Sequence, residues 1–190
     1  MELNLLIHSI LLPKAKEMLF VKSTLPTDVR KFIGKLAHLD LQPIAYRLIH
    51  SNEGKWNLQQ TKQAISRYRM FLLLIYLYPN SQLIPNQEID KVWHFHILDT
   101  MKYAEDCEML FAKFIHHFPY LGERGKIDRD NLQKGFEQTQ VLFQEHFGIN
   151  MDICKKPSYA ADCQPIGKIT QVSRPRVDFG EVFCMEYLLG

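Results

Sequence analysis

Residues 86–122 read NQEIDKVWHFHILDTMKYAEDCEMLFAKFIHHFPYLG, and the pattern within them sets the fold class. Ile89, Val92, Trp93 and His96 recur at helical spacing. Tyr103, Cys107, Leu110 and Phe114 do the same after a break at Asp99-Thr100. Apolar residues three and four apart line one side of a helix, whereas strands alternate every second residue. The stretch therefore predicts two consecutive helices. The first starts at Pro85-Asn86 with Glu88 and Asp90 in its early turns, where acids complement the helix dipole. The second runs from about Met101 to His117 and stops at Phe118-Pro119.

Working outward, the pattern stays helical. Thr27 is placed to cap a helix with the face Val29, Phe32, Ile33 and Leu36, and Pro43 opens a short one bearing Ile44 and Leu48. Asn57 with Gln60 resembles a capping box at the start of a long helix, apolar all round from Met70 and so central to the core. After a polar loop from Gly122 to Asp128, a last helix carries Leu132, Phe136, Leu142, Phe143 and Phe147 and ends at Gly148. The apolar run Leu3–Leu12, interrupted by Asn4 and His8 and ended by Pro13, reads as an amphipathic helix rather than a signal peptide. The expectation is an all-α single domain of about six helices over residues 1–150. Residues 151–190, with scattered prolines and cysteines and no 3.6 period, are expected to form an extended or loosely docked tail.

Composition excludes several function classes. Hydrophobic residues are 46% of 190, enough for a sizeable core, and charged residues are 23%, an ordinary share that argues against wholesale disorder. The net charge is +2 and the basic residues are scattered, so no nucleic-acid partner is expected. Met70–Tyr78 is too short to cross a bilayer, and no membrane span is expected. The four cysteines (Cys107, Cys154, Cys163 and Cys184) come without a secretion signal, so a disulfide framework is not expected and the location is taken as cytoplasmic. The phosphate-cradling and nucleophile-elbow patterns are absent, which argues against a nucleotide cofactor.

The chemistry concentrates in the quoted stretch, which holds four of the eight histidines. Residues two apart on a helix point roughly 200° from each other, so His94 and His96 cannot chelate one ion from a regular helix. His94 shares a face with Asp90, and His96 with Ile89, Val92 and Trp93. If the two helices fold back around Thr100, His94 and Cys107 lie at similar heights, about 10 Å from the turn, and His96 lies nearer Tyr103. His116 and His117, about 25 Å out by the same rise, become a separate feature unless the hairpin is splayed. The candidate ligand set is Asp90, His94, His96, Tyr103 and Cys107. Imidazole with thiolate or carboxylate suits Zn, Fe or Cu. Each residue also has a structural reading. Trp93 supplies core area, His96 can be a hydrogen-bonded core histidine, and Cys107 can be a small buried hydrophobe. His116 and His117 can cap helix carbonyls.

The runs LDLQPIAYRLIH (39–50), GKWNLQQ (54–60), YRMFLLL (68–74) and 88–125 also resemble the glycine-rich domain-containing protein-like family, over roughly Leu39 to Gly125. The carrying motif is D-x-x-W-H-x-H (Asp90 to His96), then Y-x-x-D-C (Tyr103 to Cys107) and H-H-F-P-Y (His116 to Tyr120). The resemblance implies that Asp90, Trp93, His94, His96, Tyr103, Asp106 and Cys107 belong to one motif, and it brings no reaction with it. The chain departs from the family at Ala112, where glycine is common, and in a short tail lacking a glycine-rich run. Two functions follow. One is a transition-metal site on the motif, extending to a metalloenzyme. The alternative is a non-catalytic helical protein–protein interaction module in which the motif is structural.

Overall fold

The computed structural model describes residues 25–51, 56–151 and Val177. The proposed Leu3–Leu12 helix and nearly all of the proposed tail lie outside the described residues. Within them the chain is all-α, as the periodicity predicts, with six helices packed into one domain and no strand. These are α1 (Thr27–His38), α2 (Gln42–His50), α3 (Leu58–Leu77), α4 (Gln87–Leu98), α5 (Thr100–Phe111) and α6 (Lys126–Phe147). No helix among the described residues is long and apolar enough to cross a membrane.

Helix α3 is the central element and packs against α1, α2, α4 and α6. Its buried run Tyr68, Arg69, Met70, Phe71, Leu72, Leu73 and Leu74 leaves little of the circumference for water. A helix apolar on all sides is stable only where neighbours cover every side. The buried Arg69 bonds the Leu39 carbonyl at 2.7 Å, and burial lowers its pKa to about 10. Asn57 caps α3 as its spacing predicts, its Oδ1 accepting from the Gln60 amide at 2.8 Å. The proposed cap at Thr27 does not form. Thr27 is the first residue of α1, Pro26 precedes it, and its hydroxyl accepts instead from Arg30 at 3.3 Å.

Asn86 caps α4 through Oδ1, which accepts from Ile89 N at 2.9 Å, while its Nδ2 donates to the Met151 carbonyl at 2.6 Å. Both ends of that side chain are therefore used, and α4 is tied to the chain beyond α6. Helix α6 lies against α3 and the 78–85 loop. Gly135 makes that approach possible, since an ideal Cβ there would stand 2.7 Å from the Gln82 carbonyl oxygen. Thr139 Oγ1 accepts from Ile84 N at 2.9 Å at the same contact.

The main departure from the sequence reading is the end of α5. Instead of running to His117, the helix stops at Phe111, and Ala112 adopts a left-handed conformation, φ 52° and ψ 27°. The Ala112 amide still bonds the Glu108 carbonyl at 3.0 Å, and the chain then turns back along α4. Alanine gives no local signal for this turn, because the left-handed region is ordinarily glycine's. Glycine at this position is what the resemblance associates with the family, and it fits the cap that Ala112 makes here. Helix α6 also starts slightly earlier than expected, with Asp128 in its first turn.

Candidate functional site

The site is built by α4 and by the segment 112–118 that returns across it. Asp90 and His94 lie one turn apart on α4, and His94 Nδ1 sits 3.1 Å from Asp90 Oδ2 and 2.8 Å from the Asp90 carbonyl oxygen. From the returning segment, His117 Nε2 reaches Asp90 Oδ1 at 2.9 Å. One buried carboxylate thus receives two imidazoles on its two oxygens, and the imidazole rings meet at 4.6 Å. One ligand atom from each of Asp90, His94 and His117 lies within 4.8 Å of the others. The hydrogen bond with Asp90 raises the His94 pKa, outweighing burial.

His117 was not among the proposed ligands. Carrying a regular helix through 112–117 put it about 25 Å from the turn, beyond Asp90. The turn at Ala112 removes that separation. The H-H-F-P-Y motif, together with the glycine associated with position 112, was the available signal.

A second set of contacts holds the returning segment in place. Trp93 Nε1 donates to Tyr103 Oη at 2.9 Å, and the Tyr103 hydroxyl donates to the Ile115 carbonyl at 2.6 Å. The Trp93 ring also stands edge-on to His117 at 4.6 Å. Trp93 therefore touches both the clamp and the histidine that the clamp delivers. Burial raises the pKa of Cys107, with opposing contacts from the Ile115 backbone and Tyr103, so the thiol stays protonated near neutral pH. Burial also pushes the Tyr103 hydroxyl far above neutrality. Of the five proposed ligands, the structure brings Asp90 and His94 together; Tyr103 and Cys107 lie against the Ile115 backbone instead.

His96 belongs to a third group. Its Nε2 is 2.8 Å from Asp106 Oδ2 and its Nδ1 is 2.9 Å from Tyr68 Oη. A carboxylate only accepts, so Nε2 carries the proton and Tyr68 donates to Nδ1. Burial lowers the His96 pKa despite Asp106, which keeps the ring neutral. Burial pushes Asp106 upward, but the bonds from His96 and Lys102, the latter at 2.8 Å, hold it below the ordinary carboxylate value. His96 and Tyr103 rings meet edge-on at 5.0 Å, as the folded-back hairpin predicts.

A cavity of about 410 Å³ opens beside Asp90, Trp93 and His117. Its walls come from the 78–85 loop, the 113–119 segment and Leu132 of α6. That volume is in the range that holds small molecules.

The comparisons with known proteins cover much of this architecture. The UCP032817-like family model matches residues 30–152, from within α1 to just past α6. The chain is 32% identical over 91 residues to "Glycine-rich domain-containing protein 1" of Arabidopsis thaliana, a match covering 46% of this chain and 11% of that protein. It is 30% identical over 91 residues to "Glycine-rich domain-containing protein 2" of the same plant, again 46% of this chain and 11% of the relative. The chain thus spans about a tenth of the length of the curated relatives it matches. No solved structure matches it. A family model covering the helical core from α1 through α6 places the chain in the UCP032817-like family.

Proposed function

We propose that Asp90, His94 and His117 hold one transition-metal ion at the edge of the cavity, making the domain a metal-binding module with a position open to a small molecule. The carrying observation is the convergence of the three side chains, from one helix and one returning segment, to within 4.8 Å. Bond lengths of about 2.0–2.2 Å to a metal put neighbouring ligand atoms roughly 3 Å apart. Asp90 already stands 3.1 Å from His94 and 2.9 Å from His117, so small side-chain shifts suffice. Two histidines and one carboxylate suit Zn or Fe(II) and leave coordination positions open. Such an ion, when bound, supplies Lewis acidity toward a group in the cavity. Asp90 and His117 line that cavity, and the Trp93 ring packs on His117.

The same distances serve metal-free hydrogen bonds, so the test is elemental. Untagged protein from cells grown with Zn and Fe should carry close to one ion per chain. His94→Ala and His117→Ala should each lose it while remaining folded by circular dichroism. Metal-free wild type under those conditions sinks the reading. His117→Ala is the sharper variant, because only the turn at Ala112 puts that residue in the site.

One observation favours the interaction-module reading as well. Phe114 and Phe118 on the returning segment are 48% and 54% exposed, and Tyr120 just beyond it is 58% exposed. Three exposed aromatic residues within seven positions are the kind of patch that protein partners cover. Loss of every co-purifying protein from a Phe118→Ser/Tyr120→Ser double variant, with metal content unchanged, would favour it. Retention of all of them would count against it.

A further inference from the structure

We propose that the cavity beside the triad binds a small organic carboxylate whose body is apolar. The inference goes beyond the metal reading, because the cation that carries it is Lys113 rather than an ion. The cavity lining contains one carboxylate, Asp90, and both of its oxygens are engaged by His94 and His117. It contains one lysine, Lys113, and no arginine, and Lys113 forms no hydrogen bond or ion pair among the described residues. His116 lies three residues further along the same edge, and its ring meets that of Phe114 at 5.0 Å. The charge offered to a ligand is therefore positive, while its one negative group is already satisfied.

The remainder of the wall is mixed, with Ser81 and Gln82 beside a larger apolar part. Leu83, Ile84, Ile115, Leu121 and Leu132 line it, and the polar Tyr78 is occupied by His146 at 2.6 Å. An inorganic anion would gain nothing from those side chains, and a neutral hydrocarbon would leave Lys113 unanswered. An acid head on an apolar body uses both features. A volume of about 410 Å³ limits the body to the size of a small metabolite.

The probe pair is 3-phenylpropanoate and its neutral amide, 3-phenylpropanamide, titrated into the full chain by two-dimensional NMR. Titrations are run on the protein as purified and again after dialysis against a chelator. The acid should bind roughly tenfold more tightly than the amide. That is the low end for a charge-assisted contact, because Lys113 is exposed and solvent screens it. The Trp93 indole N–H signal should move and that of Trp56 should stay. Lys113→Met should remove the preference for the acid and leave metal content unchanged, since Lys113 supplies no atom to the triad. Equal affinity for acid and amide, a preference that survives Lys113→Met, an unmoved Trp93 signal, or no binding of either probe would overturn the proposal. Metal-free protein that still selects the acid would separate the two readings: the metal site would fail and the carboxylate site would stand.

Discussion

Tyr103→Phe tests how the site is held together. The substitution keeps the ring and removes one oxygen, so packing is nearly unchanged. That oxygen accepts from Trp93 Nε1 and donates to Ile115 O. Trp93 is 6% exposed, so its indole N–H has no water to turn to. A buried donor left without a partner costs about 1–3 kcal/mol. The Ile115 residue is only partly buried and water can reach part of it, so its share falls at about 1 kcal/mol. The sum is about 2–4 kcal/mol. At roughly 2–4 °C per kcal/mol for a chain of this size, the melting temperature should drop by about 4–16 °C. The assay is thermal unfolding of chelator-treated protein followed by circular dichroism, with metal content measured separately on untreated samples. Loosening the 112–118 segment should also weaken metal retention by roughly tenfold or more, as loss of an outer support does. A melting point within about 2 °C of wild type would refute the clamp, given the energies above. Complete metal loss with unchanged stability would refute it differently, by making Tyr103 a ligand.

Other outcomes follow from single contacts. Ala112→Gly relieves a left-handed alanine costing about 1–2 kcal/mol, against about 0.4–1 kcal/mol of added chain entropy in the unfolded state. It should stabilise by about 0–1.6 kcal/mol in urea unfolding, and destabilisation would mean the turn at 112 is not left-handed. Gly135→Ala places a methyl carbon 2.7 Å from the Gln82 carbonyl oxygen and should cost about 1–2 kcal/mol despite alanine's better helix propensity. Finally, the Asp106 pKa is held below its ordinary 3.8 by His96 and Lys102, against burial. A carboxylate with a lowered folded-state pKa contributes stability that is present above 3.8 and lost as pH falls through its folded value. Asp106→Asn should therefore be less stable than wild type at neutral pH, with the gap closing in unfolding curves recorded below about pH 4. A gap independent of pH would remove the ionised pair from the account.

The sequence by itself determined a good deal, in and around the stretch 86–122. Helical spacing set the all-α class, Asn57 and Asn86 marked two helix starts, and Gly148 marked an end. These are local matters: a side-chain oxygen reaching an amide three residues on, or a glycine accepting a left-handed φ, depends on neighbours in sequence. The i,i+4 pairing of Asp90 with His94 was legible for the same reason, as was the meeting of His96 with Tyr103 across a tight hairpin. The entry of His117 into the site was not. It depends on Ala112 leaving the helix in a conformation alanine does not favour, and the compensation comes from far along the chain. Tyr103 holds the Ile115 carbonyl, Trp93 holds Tyr103, and Asp90 receives His117. The sequence named the region and two of the triad's three residues; the tertiary contacts of Trp93 decided which histidine completes it.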